Sequence, residues 1–313
     1  MKTLQTNFIR SIALRILGSS LLEKTLCFFS SKALVRKGLK LGVIPMAYTY
    51  ILSKPEVRIA KLGNYRFYVN IAEYSGVSLY FFSEHNEPFS AWLVSKLINK
   101  GDLCLDIGAN LGSYTFLMAN STGSEGKVFA FEPNPDLYRF LKDSVNLNQS
   151  DCFISVDARA LYSKSGQNLR FYLSNNPSNS GTSSLVNHGV FVCEENCVIV
   201  ETVALKDYFI ENKIEKCKLI KIDVERAEQE VLKGMMDLLR ERRIDYIVLE
   251  QLAGSESQKL LDSVAYTGWL IDETRKNLLD INQVELGRFA NYLFVSPNSI
   301  DEFKFNYTSY IKS

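Results

Sequence analysis

The segment Leu103-Cys-Leu-Asp106-Ile-Gly108-Ala-Asn110-Leu-Gly112 carries an apolar run into an acid and then into a turn flanked by two glycines. The chemistry such a turn supports is ligand binding. Gly108 lets the backbone approach a bound molecule with no Cβ in the way, and Gly112 permits close passage where a helix begins. Asn110 sits between them. In a doubly wound sheet this turn lies at the carboxyl end of a strand, beside the switch point where ligands settle.

Two cofactor classes use a turn of this kind. A dinucleotide asks for G-x-G-x-x-G, because the helix amino terminus must receive a pyrophosphate. Here the spacing is Gly108-Ala-Asn-Leu-Gly112, and the middle glycine is missing. S-adenosylmethionine carries no phosphate, and Asp106, awkward beside a pyrophosphate, suits that ligand's cationic amino-acid end. Glu132, 20 residues after Gly112, ends the next apolar run and can accept both hydroxyls of a ribose. An NAD-binding oxidoreductase would share Glu132, so that residue indicates an adenosine group and the glycine spacing chooses between the cofactors.

These residues need a scaffold, and the surrounding pattern supplies one. Leu103–Ile107, Lys127–Phe131, Phe153–Val156, Leu219–Ile222, Ile244–Leu249 and Tyr292–Val295 read as strands. Helical periods fall at about 112–121, from Asn134-Pro135 to about Asn148, and at about 227–241. Pro135 sits in a first turn, where its missing donor costs nothing. Strands alternating with such helices predict an α/β fold with a mostly parallel, doubly wound sheet. Between about 160 and 204 the helical period lapses and apolar alternation takes over, which predicts an inserted β-hairpin region. Its polar loop, residues 174–184, is the place to look for a mobile lid, or for a slack surface loop.

Composition narrows the classes. The net charge of +1 gives no global case for nucleic acid. Residues 1–40 hold eight Lys or Arg against the single acid Glu23, so this segment carries about +7 and the rest about −6. Such a basic amino terminus suits peripheral contact with an anionic membrane, or a helical cap whose charges face water. No apolar run is long enough to cross a bilayer, and residues 8–17 are too charged for a signal-peptide core, so a cytoplasmic protein is expected. The six cysteines and two histidines offer neither a zinc tetrahedron nor a Ser-His-Asp triad.

Asp-Ile-Gly-Ala-Asn-Leu-Gly (106–112), Phe-Glu-Pro-Asn-Pro (131–135) and Ile-Lys-Ile-Asp-Val-Glu-Arg-Ala-Glu (220–228) together resemble the FkbM family of S-adenosylmethionine-dependent methyltransferases. Weaker echoes are Asn86-Glu-Pro88, Ala160-Leu161, Asn179-Ser-Gly-Thr-Ser-Ser-Leu185 and Asn291-Tyr-Leu-Phe-Val295. They cover roughly residues 76–297, in the family's order. The resemblance implies a class I methyltransferase (Rossmann-like) fold with a seven-stranded sheet. It also implies S-adenosylmethionine as donor and an oxygen of a sugar, glycan or other small metabolite as acceptor. The expected organisation is a helical, basic extension over 1–75, the cofactor-binding domain over 76–300 and a tail over 301–313. One position departs: where the family usually has Asp-Val-Glu-Gly-Ala-Glu, this chain has Arg226. If that position needs positive φ, arginine costs of order 1 kcal/mol; Arg226 could instead touch an acidic substrate.

Methyl transfer to an alcohol asks for a base near the carboxyl ends of the strands. Asp223 and Glu225 follow the fourth core strand and come first; Glu228, Glu250, His85 and His188 rank lower. No compact carboxylate group, and so no metal ligand, is evident. The rival readings are a non-catalytic protein that keeps the fold and docks on a membrane or partner, and, further back, the NAD-dependent oxidoreductase.

Overall fold

The computed structural model describes residues 56–148, 152–176, 179–187 and 192–312. Its strands are β1 (Val57–Leu62), β2 (Tyr65–Asn70), β3 (Leu103–Ile107), β4 (Lys127–Phe131), β5 (Phe153–Asp157), β6 (Ala160–Leu161), β7 (Asn168–Ser174), β8 (Val192–Val203), β9 (Cys217–Ile222), β10 (Ile244–Leu252), β11 (Thr267–Asp272), β12 (Asn277–Asp280), β13 (Phe289–Val295) and β14 (Ile311–Lys312). Its α-helices are α1 (Tyr74–Val77), α2 (Pro88–Leu97), α3 (Ser113–Thr122), α4 (Pro135–Asn148), α5 (Leu205–Glu211), α6 (Glu228–Lys233), α7 (Met236–Arg240), α8 (Glu256–Ser263) and α9 (Ile300–Tyr307).

The central sheet runs β14-β12-β11-β13-β10-β9-β3-β4-β5. Strands β5, β4, β3, β9 and β10 are parallel, and β13 lies antiparallel between β10 and β11. This is the doubly wound class I methyltransferase arrangement, with β12 and β14 extending the expected seven strands to nine.

Both faces are covered, which is why the strands read as near-continuous apolar runs. Successive residues go to opposite faces: Leu105, Ile220, Ile222, Ile247 and Leu249 join the core beneath α5 to α8, whereas Cys104, Leu219, Tyr246 and Val248 join the one beneath α2, α3 and α9. Each fully buried aliphatic side chain contributes roughly 1.5–3 kcal/mol.

Three expectations change. Residues 57–70, placed in a helical extension, form the hairpin β1–β2, turned at Gly63 with φ +59°. Ala60, Phe67 and Val69 pack on Phe116, Leu137 and Leu141, and the Tyr68 amide donates to Ser144 Oγ at 2.9 Å, so the hairpin clasps α4. Residues 1–55, which hold the basic segment, lie outside the described residues. The period over 227–241 is broken into α6 and α7 at Gly234, where a Cβ would sit 2.2 Å from the Tyr162 carbonyl oxygen. The expected tail is part of the body: Phe303 of α9 is fully buried, and β14 pairs with β12. Among the described residues no helix is long and apolar enough to cross a membrane.

The insertion is the antiparallel pair β7–β8 with β6 alongside β8. Its loop from Asn179 to Leu185 turns back over the carboxyl ends of β3 and β4, above the glycine turn.

Candidate active site

The turn after β3 is shaped by close approach. Gly108 has φ +79°, and a Cβ there would lie 1.8 Å from the Asp223 carbonyl oxygen, because β9 runs beside β3. Gly112 has φ +87°, and its missing Cβ leaves room for Leu141. Between them Asn110 also sits at positive φ, +53°, a conformation asparagine tolerates better than most residues.

Glu132 forms the floor of a cavity of about 240 Å³ lined also by Gly108, Asn110, Leu161, Phe171 and Asp223. It is only 5% exposed. Its Oε2 accepts the Asn110 amide at 2.7 Å and its Oε1 accepts the Asn134 amide at 2.9 Å. Each oxygen keeps a second lone pair for a ligand, an arrangement able to receive the two hydroxyls of a ribose. Burial pushes this carboxyl up to about 7 against the pull of the two amides. Asn134 ties the motif together: its Oδ1 accepts the Asp136 amide at the start of α4, and its Nδ2 donates to Ser183 Oγ in the loop above.

That loop closes the cavity with Asn179, Ser180, Gly181, Ser183 and Leu185. It is fastened rather than slack. The Ser180 amide and hydroxyl donate to Glu73, Ser183 Oγ accepts the Ser174 amide at 3.0 Å, and the Ser184 hydroxyl donates to the Glu225 carbonyl.

A second, smaller hollow adjoins the turn, lined by His85, Glu87, Asp106, Tyr114, Lys221 and Asp223. Asp106 accepts the Thr115 hydroxyl at 2.6 Å, and burial raises its carboxyl to about 6. Lys221, opposite Asp106 in the β3–β9 register, pairs with Asp223 at 2.9 Å. Burial opposes its charge, but Asp223 and Glu87 outweigh this and raise its pKa. Glu87 accepts the Tyr114 hydroxyl at 3.1 Å and the Asn291 amide nitrogen at 2.5 Å, so two of the weaker sequence echoes meet in space. The His85 imidazole is half-buried and pushed down to about 4 by desolvation. It is neutral at physiological pH, and its Nδ1 has no hydrogen-bond partner. His188 lies outside the described residues.

Asp223 and Glu225 follow β9, as expected, and Glu250, a lower-ranked candidate in the sequence, joins them from the neighbouring β10. One oxygen from each lies within 4.8 Å of the other two. No such carboxylate group was evident in the sequence; its members share a sheet edge, not a local spacing. Burial, then the Asp223 charge, raises Glu225 to about 7 and pushes Glu250 well above the usual carboxylate range. Three oxygens this close can share a proton or chelate a divalent cation. Glu228 does something else: at the start of α6 its Oε1 accepts the Arg226 amide at 3.0 Å, which holds the turn. Glu225 and Arg226 are consecutive positive-φ residues, at +52° and +78°, so Arg226 occupies a conformation that favours glycine, at a cost of about 1 kcal/mol.

The family model described as "Methyltransferase FkbM domain" matches residues 106–293. The "Hexuronic acid methyltransferase AglP" of Haloferax volcanii is 29% identical over 153 residues, covering 49% of this chain and 57% of that protein. The "Methyltransferase sdnD" of Sordaria araneosa is 30% identical over 154 residues, covering 42% and 59%. This chain thus spans under two thirds of the length of the curated relatives it matches. Among solved structures, an S-adenosylmethionine-dependent methyltransferase from Agrobacterium tumefaciens is 10% identical, with TM-score 0.42 and coverage of 79% and 72%. TYW2 of M. jannaschii in complex with AdoMet is 12% identical, with TM-score 0.41 and coverage of 78% and 87%.

Proposed function

Because the chain belongs to the FkbM methyltransferase family, we propose that it moves the methyl group of S-adenosylmethionine to a hydroxyl oxygen of a sugar or glycan. The observation that carries the acceptor half of this reading is a shared wall. Glu225 and Glu250 line the cavity over Glu132 and also a second, larger groove of about 730 Å³. Donor and acceptor would meet across those two carboxylates. That the Haloferax volcanii relative is named for a hexuronic acid supports a sugar acceptor.

The residues fit the cofactor. The cavity and the hollow beside it gather Asp106, Glu132, Asp223, Glu225 and Glu250 against the single buried cation Lys221. That balance suits a ligand carrying a sulfonium and an ammonium. Bound there, S-adenosylmethionine supplies an electrophilic methyl carbon on a good leaving group. Glu132 holds the ribose, and Asp106 faces the amino-acid end. Glu225, titrating near 7, is ionised in part at neutral pH and takes the acceptor's proton as its oxygen advances. Glu250, which keeps its proton longer, donates a hydrogen bond within the group. Lys221 holds Asp223 in place and limits the repulsion among the three. Removing the proton-accepting group typically lowers turnover by 10²–10⁴-fold.

The test compares wild type with Glu225→Gln and Glu250→Gln. S-adenosylhomocysteine titration is expected to stay within about threefold, with NAD as a silent control. Methyl transfer from labelled donor to a panel of monosaccharides is expected to fall at least about 100-fold. A double variant with undiminished transfer would remove the carboxylates from the mechanism, and binding of NAD instead of S-adenosylhomocysteine would remove the donor.

A further inference from the structure

The larger groove is built unevenly, and the unevenness describes what it holds. One wall is apolar: Leu252 and Phe289 face each other across the β10–β13 pair and are 48% and 59% exposed. Exposed apolar side chains paired at the mouth of a groove form a platform for the C–H face of a ring, and an aromatic edge is well suited to it. Glu225, which can take a hydroxyl hydrogen, and Glu250, which keeps its own proton longer, also line the groove. Arg226, Gln229 and Thr182 of the closing loop line it as well.

Arg226 is the odd residue. Among the described residues it is the one basic side chain lining this groove, and its charge acts on Glu225, whose carboxyl it pulls down against burial. It stands at φ +78°, in a conformation that glycine would adopt without strain. Backbone strain of this kind is retained where the side chain performs a task. Among the described residues its guanidinium donates no side-chain hydrogen bond, and the bond at this position runs from its backbone amide to Glu228. An exposed guanidinium at the edge of the groove, already drawn by the charge of Glu225, can also pair bidentately with an anionic group on the incoming molecule.

We propose that the groove is the acceptor subsite and that it selects an acidic sugar. The sugar's carboxylate would pair with Arg226, its ring face would rest on Leu252 and Phe289, and a ring hydroxyl would reach Glu225 and Glu250. This inference rests on the methyl-transfer reading and adds to it the class of acceptor and the residue that chooses it. It also explains why an arginine stands in a turn whose other members serve the donor: Arg226 lies three residues after Asp223, so the same turn would hold the two substrates in register.

The test uses the full chain, saturated with S-adenosylhomocysteine, and two probes that differ only in the acidic group: methyl glucuronide and methyl glucoside. Calorimetry is expected to show the glucuronide binding at least about 10-fold more tightly to wild type. Arg226→Gly, a substitution that relieves the backbone strain and so keeps the fold, is expected to erase this preference by lowering glucuronide affinity roughly 10- to 100-fold. Arg226→Lys is expected to recover part of it. Affinity for S-adenosylhomocysteine should stay within about threefold in both variants. Phe289→Ala is expected to weaken both sugars alike. Equal binding of the two sugars to wild type, or a preference that survives Arg226→Gly, would overturn the inference and leave methyl transfer standing. Selective glucuronide binding without methylation of any hydroxyl would instead overturn the methyl-transfer reading while the subsite remains.

Discussion

Replacing Glu132 by glutamine tests the donor site through its most constrained side chain. Both oxygens of Glu132 accept backbone amides, from Asn110 and Asn134. A glutamine has one amide nitrogen, and in either orientation it meets an N–H donor where an acceptor stood. One buried amide is left unpaired, and the ribose loses one charge-assisted bond outright while the other weakens. At 1.5–3 kcal/mol for a hydrogen bond to a charged group, the loss is about 2–4 kcal/mol, or roughly 30- to 700-fold in affinity. Calorimetric titration with S-adenosylhomocysteine measures it, with circular dichroism as the check on folding.

The pH dependence gives a second reading of the same residue. Glu132 is raised from 4.5 to about 7 by burial, so the folded chain holds this proton more tightly than the unfolded chain. Its burial costs nothing below about pH 4.5. The penalty grows as pH rises to about 7 and then levels at about 3 kcal/mol. The ligand prefers the ionised form and recovers part of that penalty. Affinity should therefore fall about tenfold from pH 8 to pH 6 in wild type. The glutamine variant should keep only the shallower slope left by Asp106, raised to about 6. A folded Glu132→Gln protein that binds within threefold of wild type, with the same pH slope, would refute the ribose assignment.

Two further outcomes follow from the turn and the buried pair. Gly108→Ala places a Cβ against the Asp223 carbonyl at a φ of +79°. Steric shift and strain together should remove about 3 kcal/mol and lower the thermal midpoint by roughly 6–12 °C; an unchanged midpoint would show the approach to be looser than described. Lys221→Met leaves Asp223, Asp106 and Glu87 with no buried cation, and about 3–5 kcal/mol of stability should go at pH 8. Burial raises the carboxyls of Asp106 and Glu87, so their protonation should restore part of it by pH 5.5, and a thermal loss equal at both pH values would argue against the charge explanation.

The parts visible in the sequence are those whose causes are local. Strands β3 and β4 begin and end where the apolar runs Leu103–Ile107 and Lys127–Phe131 do, because a parallel strand buried on both faces must be apolar throughout. The placing of Asp106, Gly108, Asn110 and Glu132 around the two hollows was legible for a similar reason, one short turn and the strand beside it, whereas Gly112 lines neither hollow and packs against Leu141. Non-local causes hid the rest. Glu250 meets Asp223 and Glu225 only because β10 lies against β9. Strand β11 is interrupted in sequence by Gly268, which is needed because Phe294 of β13 leaves no room for a Cβ. The hairpin at 57–70 did leave a signal, the alternation Val57-Arg-Ile-Ala-Lys-Leu62 with Phe67 and Val69 following. It was overshadowed by the basic segment before it.

The contact of Gly108 with the Asp223 carbonyl, closed by the Asp223 amide donating to Ile107, is a seam between parts of the chain that lie far apart in sequence. A chain emerging from synthesis can pair β3 with β4 and form the glycine turn early. It has no Asp223 against that turn, and no carboxylate wall, until β9 has docked. Loop closure makes that docking slow relative to local pairing. The cofactor cavity is therefore incomplete on a half-made molecule, which has Glu132 and Asp106 but lacks the β9 side. Cofactor binding by mass action would favour chains whose central strands have met, adding about 2.7 kcal/mol at a hundredfold excess over its dissociation constant. In a cell that keeps its methyl donor plentiful, the ligand would thus also act as a folding check, keeping completed molecules out of the pool that proteases and chaperones sort.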